Sequence, residues 1–87
     1  MVINMHDTLL NQNIYENIVH ICLEHKINKI KNLIITVHTD SHICEESLRE
    51  QFKVNNNILI DEWTNILIQK NDIEKLTAIL DYIDGEK

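Results

Sequence analysis

The amino-acid sequence predicts a small α+β domain, with a two- or three-stranded sheet packed by two to three helices in the order α-β-α-β-α. Stretches whose apolar side chains recur every three or four residues, as in amphipathic helices, alternate with stretches whose apolar side chains recur every second residue, as in strands. The chain has 87 residues, 44% of them hydrophobic, which suits one folded domain and no more.

The first helix is predicted over residues 7–25. The side chains expected on its apolar stripe are Leu10, Ile14, Ile18, Ile21, Cys22 and His25. Asp7 or Thr8 is expected to cap the helix, because a side-chain oxygen there can accept a backbone N–H that has no partner within the helix. His20 and His25 are roughly 140° apart around the axis, so they are not expected to converge on one ion.

The first strand is predicted over residues 28–38. Leu33, Ile35 and Val37 alternate there with the other face, and β-branched side chains are frequent. These three side chains are therefore expected to face the core.

A turn is expected at residues 39–42 and a second, short helix at residues 44–54. Leu48 and Phe52 are four positions apart and would lie on the same, inward face of that helix. The three asparagines that follow should end it.

A second strand is predicted over residues 63–70, with Ile66 and Ile68 on one face and Leu67 on the other. Residues 58–60 before it are expected to form either a short strand or an irregular edge.

A last helix is predicted over residues 71–84. Asn71 would cap it, with Glu74 as its capping-box partner, and Gly85 would be the glycine that follows the C-terminus. The expected apolar face consists of Ile73, Leu76, Ile79, Leu80 and Ile83.

Composition excludes several classes of partner. The formal net charge is −6, whereas nucleic acids and anionic membrane surfaces are bound by clustered Lys and Arg. A single Gly cannot form a glycine-rich phosphate loop, so a nucleotide site of that type is excluded as well. The acidic balance suits a basic protein partner or a metal cation.

The two cysteines, Cys22 and Cys44, fall on different predicted elements and form no C-x-x-C pair. A zinc site of the C-x-x-C type is therefore not expected. With no signal peptide and no apolar run long enough to span a bilayer, two unpaired thiols predict a reducing cytoplasm.

The densest group of chemically active side chains is His38, Asp40, His42 and Cys44. Imidazole, carboxylate and thiol together suit borderline metals such as Zn²⁺, Ni²⁺ and Cu²⁺. A turn also collects polar side chains for capping, and that structural role is the alternative. A thiol next to an imidazole at a helix start meets the bare requirement of a nucleophile, but nothing else indicates acyl transfer, and no enzyme is predicted.

Two segments carry a resemblance to a known family. Met5, His6 and Asp7 open into the first predicted helix, and residues 46–52 read Glu-Ser-Leu-Arg-Glu-Gln-Phe. They resemble the Met-His-Glu start and the Glu-x-Leu-Arg-x-x-Phe helix of the HypA/HybF family, the chaperones that deliver nickel to hydrogenases and ureases.

The resemblance covers residues 5–70, and the family's four-cysteine zinc module is missing. It implies a single domain over residues 1–87, in which the helix predicted at residues 71–85 takes the place of the zinc module.

The resemblance also implies a nickel site. His6 would be the principal ligand and Asp7 its acidic neighbour, because nickel in the family is bound at the start of the chain through nitrogen atoms. Cys44 and His42 are further candidate ligands. The function implied is that of a nickel-binding accessory protein for the maturation of a hydrogenase or urease.

The partner implied by the resemblance is a maturation GTPase or a nickel-enzyme subunit. The alternative is an adaptor of the same fold that binds proteins and no metal. In either role, the protein is expected to be able to form a homodimer through an exposed strand edge.

Overall fold

The computed structural model describes the backbone of residues 2–4 and all of residues 9–87. Two helices and four strands occur in this part of the chain, in the order β1 (Val2–Asn4), α1 (Leu10–Glu24), β2 (Lys29–His38), α2 (Glu45–Val54), β3 (Asn65–Asn71) and β4 (Thr77–Glu86). The predicted α+β class is confirmed. The first element, β1, and the last element, β4, differ from the prediction.

The four strands form one mixed sheet in the order β1-β4-β2-β3. β2 and β3 are parallel, and α2 connects them. β4 lies between β1 and β2 and is antiparallel to both. β1 was not predicted, because three residues are too few to show a periodicity.

Both helices pack against one face of the sheet, where they share a single hydrophobic core with β2 and β4. The fully buried side chains of largest volume are Phe52, Ile14, Ile18, Ile30, Leu33, Ile35, Leu48, Val37 and Cys22. The predicted inward faces of α2 and β2 are therefore confirmed. That of α1 is confirmed except for His25, which is exposed where the helix ends.

α1 begins later than predicted, with Leu9 as its N-cap residue. The predicted caps Asp7 and Thr8 lie outside the described residues. α2 begins at Glu45, because Cys44 is its N-cap residue rather than part of the helix.

Residues 58–60 are irregular, as one of the two alternatives expected. The C=O of Leu59 accepts a hydrogen bond from the N–H of Ile30 at 2.8 Å, and Ile60 is buried. Arg49 on α2 fixes the same loop, since its guanidinium donates to the C=O of Asp61 at 2.9 Å and to the C=O of Thr64 at 2.7 Å. These bonds set the point at which β3 begins.

The last predicted helix was expected over residues 71–84 from the apolar pattern and over residues 71–85 from the resemblance. This prediction is wrong, because β4 occupies most of that range. The error has a physical cause. Asp81 is an extra residue in β4, since Ile35 pairs with Leu80 while Ile34 pairs with Tyr82. Such a β-bulge inserts one position into the period of two, and the apolar residues then fall at spacings that imitate a helix.

Gly85 is therefore a strand residue and not a helix terminator. It pairs with Ile30, and a Cβ atom added to it would lie 1.9 Å from the C=O oxygen of Lys29. Its φ is not positive, so the requirement here is space and not a left-handed backbone. Lys31 is a second extra residue, this time in β2, and the two bulges offset one another along the β2–β4 pair.

Candidate functional site

A cavity of about 210 Å³ lies at the end of β2, next to the start of α1. It brings together residues that are distant in the sequence, and its lining comprises Leu10, His38, Asp40, Ser41, His42, Ile43, Lys75 and Leu76. Three of the four residues in the predicted group, His38, Asp40 and His42, therefore face a common space with the loop before β4, whereas Cys44 does not line it.

His38 is held in place by the turn. Its Nδ1 accepts a hydrogen bond from the backbone N–H of Asp40 at 3.0 Å, and its side chain is only 12% exposed. An accepting Nδ1 leaves the proton of a neutral imidazole on Nε2. Metal binding through Nε2 would therefore cost the bond to Asp40, which disfavours His38 as a ligand.

His42 is exposed at the rim of the cavity. Its neighbours are fixed by short bonds: the N–H of Ser41 donates to the C=O of His38 at 2.9 Å, and the N–H of Ile43 donates to the Ser41 Oγ at 3.1 Å. His42 is thus exposed to solvent between residues whose backbone N–H groups are hydrogen-bonded.

Cys44 has a structural role as the N-cap of α2. Its Sγ accepts the backbone N–H of Ser47 at 3.4 Å, and the Ser47 Oγ accepts the backbone N–H of Cys44 at 3.0 Å. This reciprocal pair is a capping box, which gives partners to two N–H groups that would otherwise have none. The thiol is free and exposed, but its bonds are with the helix start and not with an imidazole.

The other candidates are apart from this cavity. The Nε2 of His20 lies 2.8 Å from the Glu24 carboxylate on the exposed side of α1, and His25 ends that helix. Cys22 is buried in the core, and this burial raises the pKa of its thiol. His6 and Asp7 lie outside the described residues.

Among residues 2–4 and 9–87, no group of three or more His, Cys, Asp or Glu side chains is arranged to hold a metal ion. His38 and His42 thus line the same cavity. Neither of them forms a group of potential metal ligands with Cys44.

A second surface was missed by the sequence analysis. β2, β3 and β4 carry side chains on the face that points away from the helices, and we call this surface the open face. It comprises Asn32, Ile34, Thr36, Asn65, Leu67, Gln69, Ile79, Asp81, Tyr82 and Asp84. Its identification required β4 to be a strand, and the sequence predicted a helix there.

The apolar part of the open face is substantial. Leu67 is 50% exposed and Tyr82 is 49% exposed. A shallow groove of about 330 Å³ runs between these two side chains and Ile34. Ile79 adds a partly buried aliphatic side chain to the same face.

The polar part of the open face is connected by hydrogen bonds. The Thr36 Oγ1 donates to the Asp81 carboxylate at 2.5 Å, and this bond holds the bulged residue in place. Tyr82 donates from its hydroxyl to the Asp84 carboxylate at 3.1 Å, and Asn32 donates to the same carboxylate at 3.0 Å. The hydrogen bond to Asp84, with the negative charge of that group, raises the pKa of Tyr82.

No family model matches this chain, and no curated protein and no solved structure matches it either. Within the described part of the chain, neither helix is long and apolar enough to cross a membrane.

Proposed function

We propose that this protein is an adaptor that binds a protein partner through its open face and catalyses no reaction. The observation that carries the proposal is that both helices cover one face of the sheet, while the other face exposes about half of Leu67 and of Tyr82. Tyr and aliphatic side chains surrounded by polar groups are typical of the surfaces at which proteins associate.

The negative charge of the open face indicates which kind of partner surface would bind it. The open face carries the carboxylates of Asp81 and Asp84, and no Lys or Arg belongs to the set of residues that defines it. The whole chain has a net charge of −6. A partner with a cationic rim around an apolar patch would complement this surface. The resemblance suggests a maturation GTPase or a nickel-enzyme subunit as candidates.

A photocrosslinking experiment tests the proposal. A benzophenone amino acid replaces Tyr82 in one variant and the exposed Glu16 on α1 in a second, matched variant. Each variant is expressed in the native host and irradiated with and without a chelator. We expect the Tyr82 variant to give one prominent heteromeric product that resists chelation and is absent from the Glu16 variant. Equal yields from both positions would contradict the proposal.

A nickel-binding accessory role is the second candidate. One observation favours it: Asn4 pairs with Thr77 next to the cavity, and Leu10 lines the cavity that presents His42. His6 and Asp7 lie between Asn4 and Leu10 in the sequence. Because residues 1–4 precede Met5, its nitrogen is a peptide amide and not the terminal amine of the family's site. The backbone amide and imidazole nitrogens that remain suit Ni²⁺, and an exposed imidazole would add a further nitrogen ligand.

Calorimetric titration with Ni²⁺ tests this second role. The wild-type chain is compared with His6→Ala, Asp7→Ala, His42→Ala and Cys44→Ser. Nickel binding that weakens at least about tenfold, or about 1.4 kcal/mol, in His6→Ala would support it. Equally weak binding by all five proteins would exclude it and leave the adaptor role untouched.

We also propose that the protein works in the cytoplasm. Cys22 and Cys44 are both free, one in the core and one at a helix start, which suits a reducing compartment.

A further inference from the structure

β3 has one unpaired edge. It pairs with β2 over seven positions, from Asn65 to Asn71, and no described strand lies on its other side. The C=O of Asn71 accepts the N–H of Thr39, which follows β2, so the polar backbone groups of Asn71 point toward β2. Because successive residues of a strand point to opposite sides, the N–H and C=O groups of Ile66, Ile68 and Lys70 point outward.

Apart from Lys70 near its end, this edge lacks the features that usually prevent strand pairing. The chain contains no Pro, and the β2–β3 register runs without a bulge. The one charged residue of β3 is Lys70, whose Nζ is held by the C=O of Ser41 at 2.5 Å. The ammonium of Lys70 remains charged but lies beyond the segment from Asn65 to Gln69, so a further strand can pair along that segment without a charged residue in it.

The side chains along the edge are apolar on both faces of the sheet. Leu67 is 50% exposed on the open face, while Ile66 and Ile68 lie partly buried on the helix-covered face. β3 contains no acidic residue, although the chain has a net charge of −6. Because β2 and β4 are inner strands, β3 is the one strand of more than three residues in the described part of the chain whose edge a second copy can reach, and no acidic side chain repels it there.

We propose that two copies of this chain pair through β3, antiparallel and centred on Leu67. This register places Leu67 opposite Leu67 of the second copy and Ile66 opposite Ile68. Ile66 and Ile68 both point their N–H and C=O groups outward, so these facing pairs exchange backbone hydrogen bonds. Asn65 then faces Gln69, and each facing pair joins side chains of one kind.

The neighbouring register is less favourable. Centring the pair on Ile68 would place Leu67 opposite Gln69 and Ile66 opposite Lys70, which combines apolar with polar or charged side chains. In the register centred on Leu67, the two Lys70 residues are six positions apart, or about 20 Å along the strands. That separation exceeds the screening length of roughly 8 Å at physiological ionic strength.

The pairing joins the two sheets into one and makes their open faces continuous. The facing segment of five residues is only about 17 Å long, so the dimer belongs to the small, transient class of interfaces. Because each copy has a net charge of −6, added salt should strengthen the association. The inference stands on the free edge of β3 and does not depend on the adaptor role.

Sedimentation equilibrium of the purified chain tests the proposal, at protein concentrations from about 10 μM to about 1 mM, as suits a small interface. We expect the apparent mass to rise from 10.3 kDa toward twice that value. Leu67→Lys should remain monomeric, because it sets two lysines opposite each other at the centre. Tyr82→Lys is the matched control: Tyr82 is equally exposed on the same face but lies on an inner strand, so this variant should dimerise like the wild type.

Amide hydrogen exchange on the wild-type chain gives a second readout that needs no variant. The N–H groups of Ile66 and Ile68 should exchange at least about tenfold more slowly at the high concentration. The N–H of Leu67 points toward β2 and should exchange at the same rate at both concentrations. A mass of 10.3 kDa throughout, or a dimer that Tyr82→Lys abolishes and Leu67→Lys leaves intact, would overturn the proposal.

Discussion

Substituting Gly85 by Ala is expected to destabilise the protein by about 3 kcal/mol, the upper range for overpacking a well-packed site. The added Cβ would lie 1.9 Å from the C=O oxygen of Lys29, and the next contacts, to the Ile27 side chain and the Lys29 carbonyl carbon, are 2.8 and 2.9 Å. A carbon and an oxygen atom normally approach to roughly 3.3 Å. The strands would therefore separate by about 1.4 Å, and no rotamer change can avoid this because the obstacle is backbone.

Urea unfolding followed by the fluorescence of Trp63 measures this effect. Trp63 is the one tryptophan and lies near the same strand ends, with the Lys29 Nζ 5.3 Å from its ring centroid. With a slope of about 1–1.5 kcal/mol per molar urea, the midpoint should fall by about 2–3 M. Such a loss is a large part of the roughly 4–13 kcal/mol expected for a domain of this length.

Glu86→Ala is the matched control for Gly85→Ala. Glu86 is the next residue of β4, is exposed, and lies 3.8 Å from the ammonium group of Lys31. Removing an exposed ion pair should cost no more than about 0.5 kcal/mol. If Gly85→Ala changed the stability by less than about 1 kcal/mol, below the range for overpacking, the close approach of β4 to the backbone of Lys29, and with it the strand assignment of β4, would be refuted.

Three further predictions concern the thiols and the open face. Cys44→Ser should leave the stability unchanged or raise it by about 0.5 kcal/mol, because Ser is a better helix cap; a loss above about 1 kcal/mol in urea unfolding would contradict the capping role. One thiol, Cys44, should react rapidly with a disulfide reagent in the folded protein and Cys22 only after unfolding, as counted by absorbance, since burial also raises the pKa of Cys22. Asp84→Asn should lower the pKa of Tyr82 toward its ordinary value, as seen by ultraviolet titration. The raised pKa means that folding favours the protonated phenol. The contribution of this group to the free energy of unfolding is therefore complete below the pKa of an unfolded Tyr and is lost as pH rises through the folded pKa. An unchanged titration curve in Asp84→Asn would show that Asp84 does not cause the shift.

The helices and strands whose buried side chains recur at a regular spacing could be predicted from the sequence. α1 and β2 each carry a regular apolar pattern, and Ile14 and Ile35 are buried as that pattern requires. β4 could not be predicted, because its apolar spacing is interrupted at Asp81 and its pairing partners are more than 40 positions away in sequence, as the Thr36–Asp81 bond shows. Sequence periodicity reports neither bulges nor long-range pairing.

The candidate site was predicted in part. His38 and His42 were singled out as neighbours around a turn, and they line one cavity that no sequence pattern predicted. Cys44 was placed correctly at the start of a helix. Its thiol accepts a hydrogen bond from Ser47, which the helix geometry brings within reach, and this contact was not predicted. The open face could not be foreseen, since Tyr82 was assigned to a helix.

We expect the open face to be the surface at which this protein meets its partner. Nuclear magnetic resonance shift mapping of the labelled chain, with the partner isolated by crosslinking added in excess, measures which residues form that contact. We predict that the largest perturbations occur at Ile34, Leu67 and Tyr82, while the exposed side of α1 around Glu16 stays unchanged. Perturbations concentrated on α1, with Leu67 and Tyr82 silent, would contradict the claim.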